Sequence, residues 1–271
     1  MFNQIIRGAE MNMLSSNSND YVKDGLLYCG NCNTPRQAYI EGFKRNMPVP
    51  CECRKEQNRK EEEQRERFKK QQRIIELREQ SLLGSRYADA TFENTETSHS
   101  TEFAKIHNRC KRYCEVAEAV LRDGTGIYLF GTNGTGKSRL TACMGNELML
   151  NNYTVLYTNF AEVSRKIIKD DNFINKLAKI EFLFIDDFGT EKVTKGSEDI
   201  WMQEKVFEVI NARYIEQKPI IFTANYSLKE LIEDRGMAKR TVDRIMEMCE
   251  VMRLDGQSYR VTAMKQRERL F

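Results

Sequence analysis

Gly131-Thr132-Asn133-Gly134-Thr135-Gly136-Lys137-Ser138 fits the spacing G-x-x-x-x-G-K-[ST]. An apolar run, Ile127 to Phe130, stands before it, and a helical pattern through Leu150 stands after it. Between a strand and a helix, such glycines let the backbone curl until its amides face phosphate oxygens, and the helix adds its positive N-terminal end. Asn133 and Gly134 tolerate positive φ, which a tight loop needs. Lys137 supplies a point charge for the β- and γ-phosphates, the Ser138 hydroxyl suits Mg²⁺, and Arg139 continues the same binding stretch. The chemistry these residues point to is ATP·Mg²⁺ binding.

Phe182-Leu183-Phe184-Ile185-Asp186-Asp187 supplies the other half of such a site. Four apolar residues bury a central strand, and Asp186 emerges at its carboxyl end, where ligands sit in open α/β sheets. Asp186 is assigned to Mg²⁺, directly or through water, and Asp187 to polarising the attacking water. A solvated turn is the plainer alternative. An aspartate reaches one methylene less far than a glutamate, so slow hydrolysis is expected, suited to a timed switch more than to a motor. Thr223-Ala224-Asn225 ends a further strand, and Asn225 can bond the water facing the γ-phosphate; an ordinary strand-end turn is the alternative. Arg240 and Arg244 lie four apart on a helical stretch over 238–245, and Arg260 follows in Ser258-Tyr259-Arg260-Val261. Guanidinium groups stabilise charge on a transferring phosphoryl group, although plain surface charge gives the same pattern.

A separate constellation lies near the N-terminus: Cys29-x-x-Cys32, eighteen residues, then Cys51-x-Cys53. Two thiolate pairs at these spacings can close a tetrahedral Zn²⁺ site, and so small a segment would draw folding energy from the metal; a fortuitous set of reduced cysteines is the alternative. The C-x-C pair loosens the match slightly, and no open coordination position is indicated. His107, Cys110 and Cys114 share one helical face and imitate a metal triad. Phe103, Ile106, Tyr113 and Ala117 lie on that face too, which points to core packing.

The elements that must position these residues follow from the pattern. The chain has 271 residues, 40% hydrophobic and 31% charged, with a net charge of +3. That excludes wholesale disorder, and the global charge does not announce a nucleic-acid binder. No run of eighteen apolar residues predicts a membrane span. No signal pattern is visible, so the expectation is a cytoplasmic protein with its eight cysteines reduced. Residues 1–20 read as a flexible tail, and 21–53 as turns and short strands around the cysteines. Residues 54–80 hold 17 charged residues in 27, with no Gly or Pro, and predict a solvated helical linker extending to 83, with a partner-binding or nucleic-acid-contacting helix as the rival. Its i,i+3 and i,i+4 pairs include Glu62–Arg65, Glu66–Lys69 and Glu66–Lys70. From 84 to 271 strands and helices alternate, with strands at Ile127 to Phe130, Thr154 to Thr158, Phe182 to Ile185 and Pro219 to Thr223. Helices are expected over about 160–178 and 199–215. Such alternation implies an α/β domain with a central parallel sheet.

The phosphate loop, Ile185-Asp186-Asp187-Phe188-Gly189, Thr223-Ala224-Asn225, Lys239-Arg240-Thr241-Val242-Asp243-Arg244 and Ser258-Tyr259-Arg260 occur in that order. This ordered set resembles the AAA+ ATPases of the DnaC/DnaI-type helicase loaders and their IstB-type transposition-helper relatives. Tyr87-Ala88-Asp89-Ala90-Thr91-Phe92-Glu93-Asn94 also resembles the family's segment before the ATPase core. The resemblance covers about residues 84–271 and implies a RecA-like AAA+ fold. It implies that Arg240 is an arginine finger reaching a neighbouring subunit, Arg260 the sensor-2 arginine and Asn225 sensor 1. It further implies self-association into an open spiral, single-stranded DNA as a ligand and a replicative DnaB-type helicase as the partner of residues about 21–80. In the place where family members insert a DNA-binding helix stand Phe160 to Lys179, with Arg165, Lys166, Lys169, Lys176 and Lys179. There a ring such as Phe160 or Phe173 could stack a base, and a solvated amphipathic helix is the alternative. The expected function is ATP-dependent helicase loading. A transposition-helper ATPase on duplex DNA, or a zinc-dependent adaptor with a structural ATP site, is the rival.

Overall fold

The computed structural model describes residues 19–81, 83, 87–98, 100–170, 172–190 and 197–256. Its contacts divide the chain into two units, with the division between Lys69 and Lys70.

In the first unit, β1 (Tyr21–Lys23) and β2 (Leu26–Tyr28) pair as an antiparallel hairpin. Its turn is Asp24-Gly25, with φ of +52° and +76°, the left-handed pair that a two-residue hairpin turn requires. β3 (Gln37–Ile40) and β4 (Arg45–Pro48) form a second antiparallel pair. Helix α1 (Glu52–Gln80) leaves this unit. Among the described residues up to Lys69, only Cys29 and Cys51 are buried. These described residues thus bury no aliphatic core.

α1 is solvated, and Leu77 is its one buried residue. The ion pairs along it are Lys55–Glu52, Arg59–Glu56, Arg59–Glu63, Lys60–Glu56 and Arg73–Glu76. Lys70 reaches not back to Glu66 but across to Glu181, at 3.0 Å.

The second unit begins with α2 (Thr101–Glu115), whose N-terminal amide at Phe103 is taken by the Ser100 hydroxyl, and α3 (Ala117–Asp123). Then come β5 (Gly126–Phe130), α4 (Lys137–Leu150), β6 (Val155–Asn159), α5 (Phe160–Lys169) and α6 (Phe173–Lys179). β7 (Phe182–Phe188), α7 (Ser197–Ile215), β8 (Ile220–Ala224), α8 (Leu228–Glu233), α9 (Lys239–Met248) and β9 (Cys249–Arg253) follow. The strands form one parallel sheet in the order β6-β7-β8-β5-β9.

Side chains alternate across this sheet, as a two-residue period demands. Ile127, Leu129, Val155, Tyr157, Phe182, Phe184, Ile221 and Met252 pack on one face with α2, α3 and α4. Tyr128, Leu156, Leu183, Ile185, Ile220 and Phe222 pack on the other with α5 to α9. The architecture is that of a RecA-like AAA+ core.

Three features differ from the pattern read in the sequence. The stretch expected as one helix over 160–178 is two, because Asp170 takes an extended conformation (φ −147°, ψ 100°) after α5. A fifth strand, β9, joins the sheet beside β5. The compact unit starts at Lys70 instead of 84, because the end of α1 and the residues after it complete the sheet. Leu77 and Leu83 are each 1% exposed and bury on opposite faces. Between them, the Ser81 hydroxyl accepts from Tyr157 N and donates to Tyr157 O, both at 3.1 Å. β6 lies at the end of the sheet, so this one hydroxyl satisfies two groups of an otherwise open edge.

Arg213 on α7 is fully buried. Its guanidinium donates to the carbonyls of Leu177, Ile180, Glu181 and Pro219. It thereby closes the end of α6 and holds the starts of β7 and β8 together. Burial pulls its pKa down to about 9, which still leaves it charged at neutral pH.

Candidate functional site

β5 ends at Phe130, and the chain turns at once into the phosphate loop. A Cβ on Gly131 would lie 2.1 Å from Leu254 O, so only glycine lets the segment after β9 pass this close. That segment continues along the loop: Thr132 N donates to Asp255 Oδ1 at 3.2 Å, and Gly256 N donates to Thr132 Oγ1 at 3.3 Å. Gly136, at φ +97°, delivers the chain into α4. Lys137 is 5% exposed, and its Nζ donates to the loop's own carbonyls, Gly131 O and Thr132 O, both at 2.8 Å. The ammonium is therefore held over the curl of the loop, where phosphate oxygens would replace the two carbonyls.

β7 and β8 are out of step between Ile185 and Phe188, where three steps of β7 oppose two of β8. The extra residue is accommodated by Asp187 at φ +53°. Thr223 fills this bulge. Its hydroxyl accepts from Asp187 N at 3.0 Å and donates to the Asp186 carboxylate. Asp186 is half-buried and Asp187 is exposed. The Tyr157 phenol bonds Ser138 O at 3.2 Å and lies against Asp186; burial first, and then this carboxylate, push its pKa far up. The two residues expected at Mg²⁺, Ser138 and Asp186, thus flank one buried tyrosine. A serine hydroxyl and a carboxylate beside a phosphate loop form a hard oxygen donor set that fits Mg²⁺.

A cleft of about 610 Å³ opens over the loop. Asn133, Gly134, Gly136, Lys137, Ser138 and Arg139 form one wall, Asp187, Thr190 and Asn225 a second, and Tyr87, Asn94, Thr95, Glu96 and Phe103 a third. The structure therefore gathers Lys137, Ser138, Asp187 and Asn225 around one space. Arg139 does not point at the phosphate loop: it donates to Asn94 Oδ1 at 2.9 Å and to Thr95 Oγ1 at 3.3 Å, and so fastens the third wall. Thr95, Glu96, Phe103 and Thr190 were not foreseen from sequence. The available signal was the polar turn Thr91 to Thr95, where Thr91 and Asn94 exchange hydrogen bonds.

Arg240 is exposed and does not line this cleft; its guanidinium stacks over Phe207, 4.5 Å from the ring centroid. Arg244 lies over Tyr214 at 4.1 Å and pairs with Glu247 at 2.7 Å. Arg260 falls outside the described residues.

In the first unit, the sulfurs of Cys29, Cys32, Cys51 and Cys53 all lie within 4.8 Å of one another. Cys51–Cys53 and Cys29–Cys53 are 3.3 and 3.6 Å apart, close to the roughly 3.8 Å of a tetrahedral tetrathiolate. The amides of Cys32 and Asn31 bond the Cys29 sulfur and lower its pKa. The Thr34 hydroxyl first, and then a backbone amide, bring Cys32 down to about 6, whereas bonds to Cys51, Cys29 and Cys32 push Cys53 up to about 12. Four touching thiols cannot all ionise without a cation, and this soft set fits Zn²⁺.

One expectation about a base-stacking ring is corrected, and the reading of His107, Cys110 and Cys114 as core packing holds. Phe173, proposed as a base-stacking ring, is 9% exposed in the core, with Lys166 over its face at 5.7 Å. Of the basic residues around it, Arg165 pairs with Glu162 and Lys176 with Asp170. The false triad is core: Cys110 and Cys114 are buried with pKa values raised by burial, and His107 Nε2 bonds Phe92 O at 3.1 Å. Among the described residues, no helix is long and apolar enough to cross a membrane.

A phosphate loop after one strand of a parallel sheet, and an acidic pair near the end of another, define a P-loop nucleotide-binding protein. Residues 61–267 match the family of IstB-like ATP binding proteins, and the chain belongs to that family. It is 29% identical over 220 residues to the replicative helicase loader DnaI of Bacillus subtilis, covering 71% of this chain and 64% of that protein. It is 34% identical over 149 residues to a protein of Sinorhizobium fredii named for its insertion sequence and for ATP binding, covering 52% and 48%. The crystal structure of the DnaC helicase loader has the same fold, with a TM-score of 0.50 and 22% identity over 62% of this chain and 98% of that one. The matched stretches thus span about half to two thirds of the two relatives' own lengths.

Proposed function

We propose that the chain is an ATP-dependent loader that delivers a DnaB-type ring helicase to single-stranded DNA. The observation that carries this reading is the pairing, in one chain, of a four-thiol unit and an AAA+ nucleotide cleft. An ATPase alone needs no thiol unit, whereas a loader must hold a second protein while it binds nucleotide. The likeness to DnaI supports the same reading.

In this reading, Lys137 moves from Gly131 O and Thr132 O to the β- and γ-phosphates of ATP. Ser138 and Asp186 would hold Mg²⁺, which would supply neutralising charge for those phosphates. Asp187 orients the attacking water, and Asn225 bonds it from the facing strand end. Arg240 enters from a neighbouring copy and stabilises the charge of the transferring group, while Arg260 contacts the γ-phosphate in its own copy. Hydrolysis is slow and rises with assembly into an open spiral. The thiol unit, closed by Zn²⁺ at Cys29, Cys32, Cys51 and Cys53, is the part that docks the helicase. Lys169 and Lys179, both exposed, are the basic groups of the α5–α6 segment left to track DNA phosphates.

The test is size-exclusion chromatography of the full chain with a replicative helicase, with and without ATP, against Cys29→Ser/Cys51→Ser. Co-elution of the wild type and loss in the variant are expected; no co-elution of the wild type contradicts the reading. Family membership and the Sinorhizobium relative favour a second reading, assembly on duplex DNA as a transposition helper. ATP-stimulated binding to duplex but not single-stranded DNA would establish that one instead.

A further inference from the structure

α9 presents two arginines one turn apart, and the structure treats them differently. Arg244 stacks on Tyr214 and also donates one N–H to the Glu247 carboxylate. Arg240 stacks on Phe207 at 4.5 Å, and among the described residues it donates to no carboxylate or carbonyl. Phe207 and Tyr214 stand two turns apart on α7, a helix packed against α9. One turn before Phe207, Gln203 Nε2 donates to Gly236 O at 3.1 Å, which anchors the loop that leads into α9. α7 thus fixes the start of α9 and the direction of its first arginine.

A carboxylate would hold Arg240 by consuming the N–H donors that a phosphate needs. A ring holds it through its π face, and the donors, which lie in the guanidinium plane, stay available. The arrangement fixes direction without neutralising charge or blocking bidentate bonding. From this we infer that Phe207 is a positioning residue for phosphoryl transfer: it pre-orients Arg240 for the nucleotide of a neighbouring copy. Tyr214 has no such role, because Glu247 already occupies its arginine. The inference rests on the reading of Arg240 as a finger acting in trans.

The experiment mixes two full-length chains. The donor is Lys137→Ala, which binds no ATP but presents Arg240. The acceptor is Arg240→Ala, which binds ATP but presents no finger. Recovery of ATPase turnover on mixing establishes the trans reading, and no recovery overturns that reading separately from the role of Phe207. Phe207→Leu, which keeps an apolar side chain of similar bulk, is then placed on either partner. On the donor it should lower the turnover of the mixture about two- to fivefold, the worth of one exposed cation–π contact. The ATP concentration at half-maximal rate should not move. Phe207→Tyr or Phe207→Trp on the donor should restore the rate, and Tyr214→Leu on the donor should leave it in place. On the acceptor, whose finger is absent, Phe207→Leu should have no effect. An equal effect on both partners, or a tyrosine no better than leucine, overturns the inference.

Discussion

Thr223 donates its hydroxyl to the carboxylate of Asp186 across the β7–β8 bulge, and the same oxygen takes the amide of Asp187. One 2%-exposed side chain therefore fixes both acidic residues of the site. A hydrogen bond to a charged group is worth about 1.5–3 kcal/mol. Thr223→Val should lower ATPase turnover about tenfold or more, and Thr223→Ser should retain most of it. Steady-state kinetics on the two variants checks this; equal losses would show that the hydroxyl does not act through Asp186.

Lys137→Ala removes the ammonium that now spans Gly131 O and Thr132 O. Nucleotide titration should show no saturable ATP binding, while the fold, followed by circular dichroism, is retained. Undiminished binding would remove Lys137 from the phosphate site.

Among the described residues of the first unit, Cys29 and Cys51 are the buried ones, so the packing of residues 19–53 depends on what holds the sulfurs. A strong chelator should release one Zn²⁺ per chain and open residues 19–53 to proteolysis. The second unit, with its own two-faced core, should stay intact. Limited proteolysis with mass spectrometry separates these outcomes, and an unchanged digestion pattern after chelation contradicts a metal-held unit.

Arg213 satisfies four buried carbonyls at once. Removing a buried charged partner costs about 3–5 kcal/mol. Arg213→Met should lower stability by that order, and Arg213→Lys should not rescue it, because one ammonium cannot reach all four oxygens. Urea denaturation of both variants measures the difference.

How far the sequence announces this structure depends on what each element asks of its residues. The phosphate loop is legible because it needs glycine where φ is positive and a lysine at one offset. β7 is legible because a strand buried on both faces must be continuously apolar. β9 is not, because it lies at the sheet's end and alternates buried Cys249 and Met252 with exposed Glu250, Val251 and Arg253. The break between α5 and α6 carries no Gly or Pro; the extended backbone of Asp170 ends α5 there. Ser81 reads as an ordinary polar residue after a helix; its role depends on the open edge of β6, which no local pattern records. Phe173 beside lysines looked like a stacking platform because spacing says which residues are near, not which face the core takes.

In the proposed function, bound ATP drives delivery of a closed ring to a single strand. The most direct test counts replicative helicase rings retained on covalently closed circular single-stranded DNA, a substrate with no end to thread. Retention should require the full chain and ATP together and should fail with Lys137→Ala. Equal retention without ATP, or with Lys137→Ala in place of the wild type, would contradict it.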